Sequence, residues 1–223
     1  MKTLTASWDR IVLMNYTVPS DQIKPLLLPG LEVDEIRPGE TGISLVGFDL
    51  NKPRLFGVVP GPSVPEVNLR VYVKDKDGRK GIQFLSEMAP SRAVSMGARL
   101  FGEPFKNGFV EHQAWTDINT SERADDYHSG WPIDLMFGAK YATNYRLPTD
   151  PEYYWCGRKL AFTRRGAYEV QWSDSPWMVT VNPMKARFPA KDDLLKRFGP
   201  LAGFMFPVSC MVVRGCPVSI RRS

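Results

Sequence analysis

The sequence predicts a mainly β protein built on a closed or strongly curved antiparallel sheet, with a few short helices. Three observations carry that expectation. Short β-branched and aromatic runs recur along the 223 residues, 12% of which are aromatic. Eighteen Gly and nineteen Pro punctuate them at the intervals expected of turns and corners. Only one stretch reads as a convincing helix. No fixed repeat period is present, which argues against a propeller or solenoid. No low-complexity linker divides the chain, so residues 1–223 are read as one β-barrel domain.

Taken in order, Ile11–Val18 is apolar and β-branched and predicts a strand. Pro19-Ser20-Asp21 signals a helix start with Ser20 as its cap, and Pro25 limits that helix to a short or kinked turn. Leu31–Asp34, Gly42–Leu50 and Leu55–Val59 read as extended. Val67–Lys74 alternates strictly, with Val67, Leu69, Val71 and Val73 on one face and Asn68, Arg70, Tyr72 and Lys74 on the other. Asp75–Lys80 has hairpin chemistry around Asp77-Gly78, and Gly81–Glu87 returns. Pro90-Ser91 opens the convincing helix, which runs to about Leu100 and stops at Gly102. Asn107–Ile118 reads as a strand, Ser121–His128 as a polar turn, and Ile133–Tyr145 and Tyr153–Thr163 as extended. Arg164–Gly166 turns into a strand at Tyr168–Trp172, and Trp177–Val181 follows. Lys191–Phe198 predicts a short helix closed by Gly199-Pro200. Phe204–Phe206 and Ser209–Val213 predict a strand pair.

Composition narrows the function classes. With 43% hydrophobic residues the chain can build a core. The net charge of +5 is dispersed, without a basic block or nucleic-acid motif, so a solvated surface is expected rather than nucleic-acid binding. Cys156, Cys210 and Cys216 are odd in number and widely spaced, which reads as free thiols in a reducing compartment. No apolar run reaches membrane-spanning length and no signal-peptide core follows Met1, so a soluble cytoplasmic protein without membrane association is expected. His112 and His128 have no motif around them. No metal site and no nucleotide, serine-hydrolase or zinc-protease pattern is present, and no cofactor is expected.

Several residues nonetheless carry chemistry. If the polar face of 67–74 lines an interior, Asn68 and Arg70 bind an anionic substrate and Tyr72 donates a proton or hydrogen bond; if that face is solvated, the valines are core. Alternation alone leaves both open. Glu66 and Glu87 are candidates for a general acid or base, with ion pairing to Arg70, Arg92 or Arg99 as the structural alternative. Arg158, beside Tyr153–Trp155, is a candidate anion binder or an aromatic-stacked cation.

Gly97-Ala98-Arg99-Leu100-Phe101-Gly102-Glu103-Pro104-Phe105-Lys106 resembles the Schiff-base segment of acetoacetate decarboxylases, whose pattern is Gly, four residues, Gly, one residue, Pro, Lys, Lys. Together with Leu26–Asp34, Val64–Val73, Glu152–Arg158 and Ser175–Trp177, the chain resembles a family of uncharacterised proteins in the acetoacetate decarboxylase-like β-barrel superfamily, over nearly its whole length. The resemblance implies a cone-shaped barrel with a pocket at one end. It also marks departures. Phe105 stands at the first lysine of the pattern, Gly157 where relatives carry a glutamate, and Trp172–Ser175 where they carry histidines. Lys106 keeps only the second lysine, and strand geometry turns it away from Phe105. An imine-forming lysine needs a depressed pKa, from burial or a cationic neighbour. The expected function is a pocket for a small carboxylate- or carbonyl-bearing molecule, with lyase chemistry of decarboxylase or aldolase type on an oxo acid. The alternative is a ligand-binding or sensing barrel that has lost the lysine. The candidate catalytic residues are Lys106, Glu87 and Tyr72. The candidate substrate-binding residues are Arg70, Asn68, Glu66, Phe105, Arg99 and Arg158. A homo-oligomer is compatible with the sequence.

Overall fold

The computed structural model describes residues 2–116, 123–130, 135–141, 150–172, 178–181 and 186–223. The chain begins with β1 (Lys2–Pro19), α1 (Ser20–Ile23) and a 3₁₀ turn over Lys24–Leu26. Pro19, not Ser20, occupies the cap position. Pro25 lacks the N–H needed to extend the α-helix, and the chain tightens instead. Next come β2 (Leu31–Val33), β3 (Glu35–Arg37), β4 (Glu40–Leu55), β5 (Val59–Pro60), β6 (Val64–Asp75) and β7 (Lys80–Ala89). The helix α2 (Arg92–Leu100) is capped by Ser91, whose hydroxyl accepts from the Val94 N–H at 3.3 Å. Then follow β8 (Phe105–Asn107), β9 (Phe109–Thr116), β10 (Arg123–Gly130), β11 (Leu135–Tyr141), α3 (Asp150–Cys156), β12 (Leu160–Thr163) and β13 (Gly166–Trp172). The chain ends with β14 (Met178–Val181), β15 (Ala186–Arg187), α4 (Lys191–Phe198), a 3₁₀ turn over Gly199–Phe204, and β16 (Phe206–Arg222).

Seven strands close into a ring in the order β6-β4-β1-β16-β13-β12-β7, and β7 pairs with β6 to complete it. All neighbours run antiparallel except β7 and β12. A second, four-stranded sheet runs β15-β11-β10-β9. Alternation divides each ring strand between two apolar environments. Val12, Met14, Tyr16 and Val18 of β1, with Leu45 of β4 and the valine face of β6, pack outward against Tyr127, Leu135 and Phe137 of the small sheet. Ile11 and Leu13 of β1, with Val46, Phe48 and Leu50 of β4, belong to a separate inward cluster. Both faces are thus buried, which explains why these strands read as near-continuous hydrophobic runs.

A charged bracket ties the small sheet to the ring. His112 on β9 places Nδ1 2.8 Å from Asp49 of β4 and Nε2 2.9 Å from Asp125 of β10. Its ring stacks on Tyr127 at a centroid distance of 4.5 Å. The Tyr127 hydroxyl donates to the Arg10 carbonyl at 2.8 Å. That carbonyl is presented by a break in the β1–β4 register where Arg10 adopts φ 54°, a strained conformation held by its surroundings. A Cβ at Gly47 would fall 2.5 Å from the Tyr127 ring, so the ring sits where only glycine leaves room.

Some elements differ from the sequence expectation. Leu55–Val59 is not a strand: Phe56 (φ 52°) and Gly57 (φ 76°) turn the chain between β4 and β5. Within Ser121–His128, the described residues from Arg123 onward form a strand, because their acids find partners across the sheet rather than in water. Tyr153–Cys156 is helical rather than extended. The C-terminal strand pair is one strand of 17 residues. Asp117–Glu122 and Trp177 lie outside the described residues. Among the described residues, no helix is long and apolar enough to cross a membrane.

Burial lowers the His112 pKa, but the hydrogen bonds to Asp125 and Asp49 outweigh it and raise the pKa from 6.5 to about 9. The folded state therefore holds the proton more tightly than the unfolded chain. The bracket's contribution is complete below the unfolded value and is lost as pH rises through about 9. His112→Ala is expected to cost about 3 kcal/mol in chemical denaturation at pH 6. The gap to the parent protein should narrow by pH 10; a gap that stays constant would show that packing, not charge, holds the sheets together.

Candidate functional site

The inward side chains do not fill the ring. A cavity of about 400 Å³ remains, of the size that holds a small organic molecule. Its walls are apolar, from Ile11, Leu13, Val46, Phe48 and Leu50, with Ala93, Val94, Gly97 and Ala98 of α2 along one side. The exposed residues Val59 and Pro60 also line it and mark its open side.

Against this apolar wall stands one polar stripe. Glu66, Asn68 and Arg70, alternate residues of β6, all line the cavity, while Val67, Leu69, Val71 and Val73 face the outer core. The structure thereby settles which face of this strand is interior. Glu87 of β7 is the cross-strand partner of Asn68 and lines the cavity beside it. Asn68 turns its Nδ2 to Glu66 Oε1 at 3.3 Å, so its Oδ1 points elsewhere and is buried without a donor. Glu87 Oε2 is likewise buried.

A third carboxyl joins them. Glu103 lies in the loop between α2 and β8, and β8 runs parallel to β7 with Phe105 opposite Glu87. The pairing brings Glu103 into a hydrogen bond with Glu87, which requires a proton between the two carboxyls. Desolvation raises all three. Glu66 is pushed up to about 8, Glu103 to about 7, and Glu87 well above the carboxylate range, with Glu103 and Glu66 adding repulsion. No cation stands among the groups that shift them. Sequence reading missed Glu103 because an isolated loop residue has no periodicity; its only signal is its place between Gly102 and Pro104 in the segment that delivers Phe105.

The other candidates divide by position. Phe105 is buried and lines the cavity, whereas Lys106 is exposed on the opposite side of β8, in an outer cleft with Met88 and Pro104. Lys106 therefore does not reach the barrel cavity, for the period-two reason that separates neighbours on a strand. Tyr72 is fully buried and outside the cavity wall. Its hydroxyl donates to the Trp155 carbonyl at 2.8 Å and lies 2.7 Å from Ser44 Oγ. Arg70 donates to the same carbonyl at 3.1 Å and to Tyr72 at 3.3 Å, but its Nε is buried without a partner. Arg158 lines the cavity yet is held by Asp34 at 2.5 Å and lies over the Tyr154 ring. Arg99 donates to the Phe105 carbonyl at 2.8 Å, clamping the loop that carries Glu103. Among the described residues, no group of three His, Cys, Asp or Glu side chains is arranged to hold a metal ion.

Residues 5–194 match the model of the DUF2071 family, described as "Uncharacterized conserved protein", and the chain belongs to that family. No curated protein matches it by sequence. Solved structures share the fold at low identity. An acetoacetate decarboxylase-like enzyme from Sphingomonas wittichii RW1 superposes with a TM-score of 0.65 at 14% identity, covering 100% of this chain and 94% of that one. The enduracididine biosynthesis enzyme MppR complexed with pyruvate gives 0.64 at 12%, over 99% and 89%. Acetoacetate decarboxylase from Legionella pneumophila gives 0.63 at 14%, over 98% and 87%. The fold is thus the acetoacetate decarboxylase-like barrel.

A carboxyl whose pKa is raised on folding keeps its proton in the folded state, so folded protein binds more protons than unfolded between the two values. Wild-type stability contributed by Glu66 therefore falls as pH rises from 4.5 to about 8. Glu66→Gln removes that loss while preserving the acceptor for Asn68. The variant is expected to match the parent in thermal melting at pH 4.5 and to exceed it at pH 8.5. Parallel melting curves across this range would contradict the raised pKa.

Proposed function

We propose that the barrel cavity binds a small oxo acid or related carbonyl metabolite and moves a proton on the carbon beside its carbonyl, as in the deprotonation that opens an aldolase-type condensation or the protonation that closes a decarboxylation, without forming an imine. The carrying observation is the trio of carboxyls on a largely apolar wall, Glu66 and Glu87 buried and Glu103 half-buried, with pKa values raised into or above the physiological range. A general acid or base works best when its pKa lies near the working pH. In this reading Glu87 exchanges the proton with substrate and Glu103, hydrogen-bonded to it, takes up or returns the charge. Arg70 orients the substrate carboxylate through donors that the Trp155 carbonyl and Tyr72 leave over. Glu66 and Asn68 bound the same end, and Phe105 provides an apolar surface where the related pattern has an amine. Tyr72, Arg99 and Arg158 act by positioning. The buried hydroxyl of Tyr72 holds Arg70, Arg99 fixes the Phe105 loop, and Arg158 is anchored on Asp34.

The second reading is a binding or sensing barrel without catalysis, favoured by Phe105 in the cavity and Lys106 outside it. One experiment separates them. Pyruvate and 2-oxobutyrate are incubated with the protein in deuterated buffer, proton exchange beside the carbonyl is followed by NMR, and parallel samples are trapped with borohydride for mass spectrometry. The expected result is enzyme-dependent exchange, reduced about a hundredfold or more in Glu87→Gln, with no adduct on Lys106. An adduct on a lysine would restore imine chemistry. Binding of either acid with no exchange would leave the non-catalytic reading.

A further inference from the structure

We propose that the substrate of this barrel carries a long apolar body: an oxo acid of about eight to ten carbons, with its polar end at the β6–β7 stripe and its hydrocarbon along α2 toward the turn between β4 and β5. Only the oxo-acid end rests on the preceding reading; the apolar body follows from the cavity's shape and lining. The charged residues of that lining are confined to one sector: Glu66 and Arg70 on β6, Glu87 on β7, Glu103 before β8 and Arg158 after α3. Among the described residues, the other five ring strands, β4, β1, β16, β13 and β12, contribute none. Their share of the wall is dominated by hydrocarbon and aromatic rings, such as Trp8 of β1, Leu50 of β4 and Val170 of β13. A small hydrophilic acid seated at the stripe would leave that wall uncovered.

Volume sets the length. At about 30 Å³ per non-hydrogen atom, the share that a water molecule takes in its liquid, a cavity of about 400 Å³ encloses about thirteen such atoms. Pyruvate supplies fewer than half of them, whereas a 2-oxo acid of about ten carbons supplies them all. An apolar void of this size forfeits packing contacts, which water without polar partners does not replace and an apolar chain does. The open side is apolar as well. Val59 and Pro60 of β5 line it, and Phe56 and Val58, in the turn that precedes β5, are exposed. An apolar lip continuous with an apolar wall suits a chain that reaches from the stripe to the mouth. Along α2, the small residues Ala93, Gly97 and Ala98 keep the lumen clear. A Cβ built at Gly97 meets no atom within 4 Å, so the helix surface there borders open space.

The test is calorimetric titration of the full chain with a homologous series: pyruvate, 2-oxohexanoate, 2-oxooctanoate and 2-oxodecanoate, each below its aggregation concentration. Proton exchange beside the carbonyl is followed on the same acids in deuterated buffer. Affinity is expected to rise about threefold per added methylene, so that 2-oxodecanoate binds about fiftyfold or more tighter than 2-oxohexanoate. Gly97→Phe places a ring in the open space beside α2. Glycine is a poor helix former and a Cβ meets nothing there, so the variant is expected to fold, which its thermal melting checks. It should flatten the series, lowering 2-oxodecanoate affinity about tenfold or more. Gly97→Leu, a smaller plug, should cause a smaller loss and carries the same test if the larger ring disturbs the fold. An affinity that is flat or falls with length, or no binding of the longer acids, overturns the proposal. So does a rise with length that both variants leave intact, which would place the chains on the outer surface or in the cleft beside Lys106. The two readings fail separately. Affinity that grows with length without proton exchange on any acid keeps this inference and removes the acid–base reading. Exchange on pyruvate with a flat series does the reverse.

Discussion

Closure of the seven-strand ring is the constraint on which the rest depends. A closed sheet has no free edges, so every ring strand must present one face to the interior and one to the exterior. Here the exterior face is covered by the small sheet and α4, and both faces of β1 and β4 are therefore apolar. The interior is too wide to be filled by the side chains it receives, and the remainder is a hole lined by hydrocarbon. Any ionisable group on that lining is removed from bulk water. Desolvation is accordingly the first cause of the shift at Glu66, Glu87 and Glu103 alike. The chemistry of the site follows from the closure of the sheet, because the same carboxyls on an open, wetted sheet would titrate like ordinary glutamates.

Much of this was legible from residue pattern. The alternation of 67–74 marked a strand with two unlike faces, and the helix after Ser91, the hairpin at Asp77-Gly78 and the short helix at Lys191–Phe198 followed from local rules that tertiary structure left intact. The assignment of interior and exterior was not legible, because period two separates two faces without ranking them. In a barrel packed against a second sheet, the polar face became the inside. Local rules failed where distant partners decided the outcome. Arg123–Gly130 has the composition of a turn, yet Asp125 is 3% exposed because His112 and Arg10 reach it from other strands. The aromatic run at Tyr153–Trp155 looks extended in isolation. It folds as a helix whose Tyr154 and Trp155 rings press on β4 at Gly42, where a Cβ would come within 2.5 Å of both.

The division of labour among the arginines and tyrosines illustrates how little residue type fixes role. Arg70, Arg99 and Arg158 were equal candidates for anion binding. Arg158 is bound to Asp34, which also receives Lys80 at 3.0 Å, so two cations share one buried acid. Arg99 is spent on a backbone carbonyl. Arg70 alone keeps a buried donor with no partner. Tyr72, which sequence placed on the same face, is enclosed by Tyr154 and Trp155 and uses its hydroxyl to hold the helix that carries them.

Buried polar atoms on the ring strands have to satisfy one another. Leaving an acceptor or donor buried without a partner costs about 1–3 kcal/mol each, a large share of the stability of a typical domain. Asn68 Oδ1, Glu87 Oε2 and Arg70 Nε, buried atoms of three residues that line the cavity, all belong to β6 and β7 of the closed ring. Asn68 and Glu87 face one another across the ladder, and the proton that Glu87 keeps gives its carboxyl a donor for the amide oxygen opposite. The proton retained on Glu87 is thus what lets carboxyls and an amide stand side by side on a desolvated wall, and the same desolvation that costs stability is what holds that proton near the cavity.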